Sequence, residues 1–228
     1  MAEEAREFFG TIAERYDSLA RRGMPRRDEM FGALMDVMPD RAEDVLELGC
    51  GTGALTVRLS ARYPGAKLLA LDGAREMIAL AQECLEQAAI PRNTHVAFEL
   101  RRFEETELPR QSYDLIASNM SLHHVEDKAL FYAGLHDALK PGGLLAFGDE
   151  LTGAMPHVEE LYWNGWLEFA RQPDHLTEGE IAEIISHIEE SDHYETLPDQ
   201  LTLLKSAGFT GVDCVWRYLN YAVFVARA

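Results

Sequence analysis

Three glycines at alternate positions, Gly49, Gly51 and Gly53, follow the apolar run Val45-Leu46-Glu47-Leu48 and precede a stretch with helical spacing that starts at about Ala54. A strand ending in such a loop must turn sharply, and a ligand can then approach its backbone closely. Free N–H groups at the start of the helix favour an anion there, a carboxylate or a phosphate. Asp72 ends the next apolar run, twenty-three residues after Gly49, where an acidic side chain can accept hydrogen bonds from both hydroxyls of a ribose. Together these features point to a nucleoside ligand. The loop reads Gly-Cys-Gly-Thr-Gly with an acid in the strand before it, a spacing unlike the G-x-G-x-x-G of dinucleotide sites.

Other groups could do proton chemistry. His123 and His124, within Asn119-Met-Ser-Leu-His-His-Val-Glu-Asp127, follow the fourth apolar run and so fall near the ligand edge of a parallel sheet. They are the candidate catalytic bases for an oxygen or nitrogen nucleophile, with Asp149 and Glu150 next, and Asn119 is expected to touch the cofactor. His157, His175, His187 and His193 lie among carboxylates without a ligand spacing such as H-E-x-x-H, so they are expected at the surface and no metal site is predicted. Glu178, Glu180, Glu183, Glu189 and Glu190 read as a solvated acidic face. Trp163, Trp166 and Phe169 share one helical face that can serve as core or as an aromatic substrate wall. Tyr16, Trp163, Tyr194, Arg217 and Asn220 are further candidates to line a substrate pocket.

The elements that must position these groups alternate from about residue 43 onward between short apolar runs and helical stretches, the pattern of a parallel sheet covered by helices. Strands are expected at Asp44–Leu48, Lys67–Leu71, His95–Leu100, Asp114–Ser118 and Leu144–Gly148, with crossover helices at Leu55–Tyr63 and Ala74–Gln87. A helix over Lys128–Leu139 is expected to stop at Lys140-Pro141-Gly142-Gly143, which turns the chain into the next strand. Val212–Arg217 and Tyr221–Ala226 are too closely linked for a parallel crossover and predict an antiparallel hairpin. The fold class is therefore α/β: a doubly wound, mostly parallel seven-stranded sheet with an antiparallel C-terminal hairpin. One domain over residues 1–228 is expected, with residues 1–40 as an amphipathic helical cover and residues 151–205 as a helical lid insert.

Glu47-Leu-Gly-Cys-Gly-Thr-Gly53 resembles the first motif of the class I S-adenosylmethionine-dependent methyltransferases. Tyr113-Asp114-Leu115-Ile116 and Leu139-Lys-Pro-Gly-Gly143 are similar to that family's fourth strand and its lead into the fifth. The resemblance spans at least Tyr16 to Pro141. It implies S-adenosyl-L-methionine as cofactor, with Glu47 near its amino acid portion, the backbone at Gly49 and Gly51 lining it, and Asp72 holding the ribose. Tyr16, Gly73, Met77 and Asn119 are counted with them. Where the family commonly places an acid for the adenine amino group, this chain has Arg102-Phe103-Glu104. Phe103 is left to cover the ring, and Glu104 or backbone groups to meet the amino group.

A net charge of −18 repels phosphate backbones, and the densest basic stretch, Arg21, Arg22, Arg26 and Arg27, is short, so no nucleic-acid partner is expected. The chain has no apolar run long enough for a membrane span, Met1–Phe9 lacks signal-peptide character, and Cys50, Cys84 and Cys214 suggest reduced thiols; a cytoplasmic enzyme is expected. The implied activity is methyl transfer to a small-molecule acceptor, with a homodimer left open. The pattern from Ala207-Gly-Phe209 to Asn220-Tyr221 is also similar to the carboxy-S-adenosylmethionine synthases, which modify the cofactor itself. A nicotinamide oxidoreductase and a non-catalytic adenosylmethionine sensor are the remaining alternatives. Calorimetry separates them: S-adenosylmethionine and S-adenosylhomocysteine are expected to bind, whereas binding of NAD alone would overturn the reading.

Overall fold

The computed structural model describes residues 3–88 and 95–228; Met1 and Ala2, at the start of the expected helical cover, lie outside them. Five strands, β1 (Asp44–Leu48), β2 (Lys67–Asp72), β3 (His95–Leu100), β4 (Tyr113–Asn119) and β5 (Leu139–Glu150), run parallel. The antiparallel hairpin β6 (Thr210–Tyr218) and β7 (Tyr221–Arg227) completes a seven-stranded sheet of order β3-β2-β1-β4-β5-β7-β6. Val45, Leu46 and Leu48 of β1 and Leu115, Ile116 and Ala117 of β4 are wholly buried, because helices cover both faces of the sheet. The expected strands and hairpin are present within a few residues of their predicted ends. Lys140–Gly143 differs: the preceding helix stops at Ala138, and these residues belong to β5, whose pairing with β4 shifts register between Tyr113 and Leu115. Gly142, at φ 80°, absorbs that irregularity, so the Pro-Gly-Gly segment bends a strand rather than preceding one.

The strand order reverses between β1 and β4, and a crevice at this switch point receives ligands in open α/β sheets. Its walls come from the β1 loop, from α4 (Arg75–Gln87) and from the N-terminal α1 (Glu3–Gly23). Helix α3 (Ala54–Arg62) starts at Gly53, which sits at φ 89°. A Cβ on Gly53 would lie 3.0 Å from the Cα of Ala81, so this glycine is needed for both its dihedral and the close approach of α4. On α4, Met77 and Ala81 are buried, as the helical spacing requires.

Helix α1 buries Ile12 and Leu19 on the predicted face, with Phe8 and Tyr16 partly covered. It docks on α4, on α6 (Pro156–Ala170) and on α7 (Glu178–Ser191). Arg22 pairs with Glu180 at 2.6 Å, Arg15 pairs with Glu183, and Trp166 Nε1 donates to the Gly23 carbonyl at 3.0 Å. Part of the acidic row expected to face solvent is therefore a docking surface for α1. Of the basic stretch, Arg22 pairs with Glu180 and Arg26 with Glu29 within the chain. Helices α2 (Arg27–Asp36), α5 (Lys128–Ala138) and α8 (Leu197–Ser206) fill the remaining faces, and no helix among the described residues is long and apolar enough to cross a membrane. Substituting Gly53→Ala forces an L residue into a left-handed dihedral against helix backbone, and is expected to cost about 2–4 kcal/mol in urea unfolding. An unchanged unfolding midpoint would show that α3 and α4 can part freely.

Candidate active site

The crevice at the switch point is a cavity of about 740 Å³ counted to its mouth. It is lined by Glu47, Gly49, Gly51, Asp72, Met77, Phe103 and Asn119 from the sheet side and by Tyr16 from α1. Eight of the ten residues expected around a cofactor thus converge on one space. Gly73 and Glu104 are not on its wall. Gly73 stands just behind it, where its backbone N–H faces the Asp72 carboxylate. Glu104 pairs with Arg102 at 3.1 Å, so the acid that follows Phe103 is turned to its neighbour.

Asp72 holds the loop together. One carboxylate oxygen accepts from Gly51 N–H at 2.8 Å and the other from Ala74 N–H at 2.8 Å, while Cys50 N–H donates to the Leu71 carbonyl at 2.9 Å. Burial raises its pKa, and these backbone donors oppose the rise. Gly49, at φ 68°, lies against the loop after β4: a Cβ there would meet Ser121 Oγ at 2.1 Å, and Phe103 closes the other side. Thr52 Oγ1 donates to Asp17 at 2.6 Å, tying α1 to the glycine loop.

Glu47 is 1% exposed, and neither of its carboxyl oxygens has a hydrogen-bond partner in the protein. Burial pushes its pKa up to about 8, opposed by the hydroxyl and backbone N–H of Thr56 and helped by the charge of Asp72. A buried acceptor pair without donors, on the wall of a cavity, is a seat for a cationic or donating ligand group.

A second cavity, about 770 Å³ to its mouth, opens beside the first and shares Phe9, Tyr16, Ala20, Met24 and Met120 with it. Glu150, Tyr194, Tyr221 and Trp166 complete much of its wall. Glu150 is the last residue of β5; burial raises its pKa to about 7, against the opposing pull of His123 and Tyr194. A smaller pocket on the far side of Glu150 takes Trp163, Tyr194 and Asn220 from the predicted substrate wall. Arg217 is not among the residues lining these cavities and lies over the Tyr162 ring at 5.2 Å. Trp166, buried at 6% exposure, belongs to the core and also lines the second cavity and the small pocket, and Trp163 lines the small one.

The two histidines part company. His124 lines the cofactor cavity and His123 the neighbouring one. His123 Nδ1 lies 2.5 Å from Asp149 Oδ1; burial alone would lower its pKa, but Asp149 and Asp192 overcome that and lift the imidazole to about 9. Burial, with the charge of His123, holds His124 down at about 4. His157 is exposed as expected, but His187 is not: its side chain is 9% exposed, inside the same cluster. Ser121, Met120 and Arg27 also line the cofactor cavity and were not foreseen. Ser121 and Met120 adjoin Asn119 in the same loop and could have been found by extending that motif; Arg27 carried no signal beyond its basic neighbours.

Residues 45–143 match the sequence model of a family described as a methyltransferase domain. Over 227 residues the chain is 28% identical to the carboxy-S-adenosyl-L-methionine synthase of Shewanella amazonensis, covering 96% of this chain and 91% of that protein. It is 31% identical over 162 residues to the malonyl-[acyl-carrier protein] O-methyltransferase of Hahella chejuensis, covering 70% of this chain and 53% of that protein. The crystal structure of an S-adenosylmethionine-dependent methyltransferase from Mesorhizobium loti superposes with a TM-score of 0.62 at 22% identity, over 87% of this chain and 97% of that one. Sheet order, glycine loop, acid-lined cavity and these likenesses agree, and the chain belongs to the class I S-adenosylmethionine-dependent methyltransferases.

Proposed function

We propose that the chain transfers the methyl group of S-adenosyl-L-methionine to a small, largely apolar acceptor held in the second cavity. The observation that carries this reading is the adjacency of the two cavities. The second shares a wall with the first, is lined by Phe8, Phe9, Ile12, Trp166, Ile184 and Tyr221, and has no lysine or arginine among the described residues that line it. Such a surface suits a compact organic molecule and is hostile to a polyanion.

The residues of the first cavity fit the cofactor. The unpartnered carboxyl of Glu47 suits its ammonium group, the N–H groups opening α3 suit its carboxylate, and Phe103 supplies an apolar face for adenine. Asp72 has spare acceptor capacity for the ribose hydroxyls, since a carboxylate offers about four lone-pair positions and two are used by backbone. The cofactor, when bound, supplies an electrophilic methyl group on a positive sulfur. Everything else falls to the chain: α1 and Phe103 exclude water, and the shared wall sets the line of approach.

A nucleophile that carries a proton needs a base at the second cavity. Glu150 is placed for it, at the C-terminal end of β5 and on the cavity wall, with Tyr194 and Tyr221 beside it. His123 is engaged by Asp149 and His124 faces the other cavity, so the histidine pair is assigned to holding the loop between the cavities.

The full-length likeness to carboxy-S-adenosyl-L-methionine synthases supports a second reading, in which the cofactor bears an extra carboxylate. Arg27 is the single lysine or arginine among the described residues lining the first cavity, and it stands on the α1–α2 side. Mass spectrometry of ligand co-purifying with the chain decides between the two: unmodified S-adenosylmethionine or S-adenosylhomocysteine supports methyl transfer, and the carboxylated form overturns it.

Two further outcomes are expected. With Glu47 at about 8 in the folded chain and about 4.5 unfolded, the folded state holds the extra proton between those values, so stability without ligand falls as pH rises from 4.5 to 8. Binding an ammonium group ionises Glu47, so calorimetry at pH 7 in buffers of different ionisation heat should show a released proton that Glu47→Gln abolishes. Equal heats in all buffers would remove Glu47 from that contact. Glu150→Gln is expected to lower turnover about 10²-fold or more on a phenol, alcohol or protonated amine acceptor while leaving cofactor affinity in place. An unchanged rate would exclude Glu150 as the base.

A further inference from the structure

We propose that His123, His124, His187 and Asp192 form a binding site for one divalent transition-metal ion at the junction of the two cavities. The first two side chains come from the 3-10 turn Leu122–His124 after β4, the third from α7, and Asp192 directly follows α7. All four are buried: the side chains are 7%, 3%, 9% and 4% exposed in that order. Asp192 Oδ1 lies 2.9 Å from His124 Nδ1, 3.9 Å from His123 Nε2 and 4.0 Å from His187 Nε2. The ligating atoms of His123, His124 and Asp192 all fall within 4.8 Å of one another. With metal–ligand bonds near 2.0–2.1 Å, neighbouring ligands of a tetrahedral ion stand about 3.4 Å apart, in the middle of the range found here.

Three of these atoms have no hydrogen-bond partner although they are buried: Asp192 Oδ1, His124 Nδ1 and His187 Nε2. His124 and Asp192 are close but not aligned as a hydrogen bond. Buried nitrogens and a carboxylate oxygen gathered around one point, with only the unaligned His124–Asp192 approach between them, are costly unless a cation joins them.

The surroundings fix each ligand in place. Asp149 takes His123 Nδ1 at 2.5 Å, which leaves Nε2 to face Asp192, and Tyr194 donates to the other Asp192 oxygen at 2.6 Å. His187 stacks on Phe8 with ring centroids 4.0 Å apart, and the edge of Phe9 meets both His124 and His187. A carboxylate behind a ligating histidine is the usual support that sets its tautomer and orientation. Imidazole with one carboxylate suits zinc or ferrous iron over magnesium or calcium. The ligands escape a sequence search because two elements far apart in the chain supply them, and His187 and Asp192 are five residues apart across a helix end.

His124 lies on the cofactor cavity, while His123, His187 and Asp192 lie on the acceptor cavity. An ion there ties α7 to the loop after β4 beside the acceptor cavity, and by expanding to a fifth ligand it would favour acceptors with a hydroxyl, thiol or amine. That last clause rests on the methyltransferase reading; the ion site does not.

The test uses the full chain, stripped with a chelator and titrated with Co²⁺. Wild type is expected to take up one ion per chain with visible d–d absorption of low-symmetry coordination, and Zn²⁺ is expected to displace it and raise the thermal midpoint. Asp192→Asn keeps the shape of the carboxylate and His187→Phe keeps the ring stacked on Phe8; each is expected to weaken Co²⁺ binding by at least about tenfold. Their unfolding midpoints without metal report that they fold. No Co²⁺ uptake by wild type, or undiminished uptake by either folded variant, overturns the proposal. S-adenosylmethionine binding, measured in parallel on the metal-free protein, reports on the methyltransferase reading separately.

Discussion

The carboxylate of Asp72 ties two loops to one side chain. It accepts from Gly51 in the loop after β1 and from Ala74 at the start of α4, so the glycine turn and the next crossover helix are set by one side chain. Around that clamp the constraints are steric. Gly53 lets α4 approach α3, and Gly49 lets the β4 loop close on the β1 loop. The cavity wall is therefore built from backbone held at fixed spacing, which is the form of preorganisation that a ligand with many polar atoms requires. Burying Asp72 raises the pKa of a group that must hold its backbone donors, and those donors limit the rise.

Glu47 has the opposite arrangement. It sits one strand residue before the loop with Thr56 as the donor that faces it and no hydrogen bond closed, and burial favours its protonated form. On the reading proposed above, the two acids of one cavity divide the work: Asp72 organises protein and Glu47 receives ligand. That division follows from position, since Asp72 ends a strand where loop N–H groups converge, whereas Glu47 points from within β1 into a space bounded by side chains.

Much of this was legible in the sequence because it rests on local signals. The apolar runs gave the five parallel strands, the short link gave the hairpin, and the glycine spacing with Asp72 gave the cavity. Lys140–Gly143 was read as a stop because proline and glycine usually interrupt elements; here they bend an inner strand where its pairing with β4 skips from Leu139 to Leu144. The acidic row of α7 was read as solvated because sequence does not show which helix lies opposite; Arg15 and Arg22 lie 168 and 158 residues from their partners in the chain and directly across in space. His187 was placed at the surface for the same reason. Its environment is made by Phe8, Phe9 and the loop after β4, none of which is near it in sequence.

Helix α1 contributes Phe9, Tyr16 and Ala20 to both cavities, and Met24, directly after it, lines both as well. A single rigid wall shared by two ligands makes their affinities interdependent: whatever fixes α1 for one ligand has already met part of the ordering cost for the other, and thermodynamic reciprocity makes the effect equal in both directions. On the methyl-transfer reading proposed above, cofactor and acceptor are then coupled through the N-terminal helix in addition to their own contact, by the hold that Arg15, Arg22 and Asp17 keep on that helix.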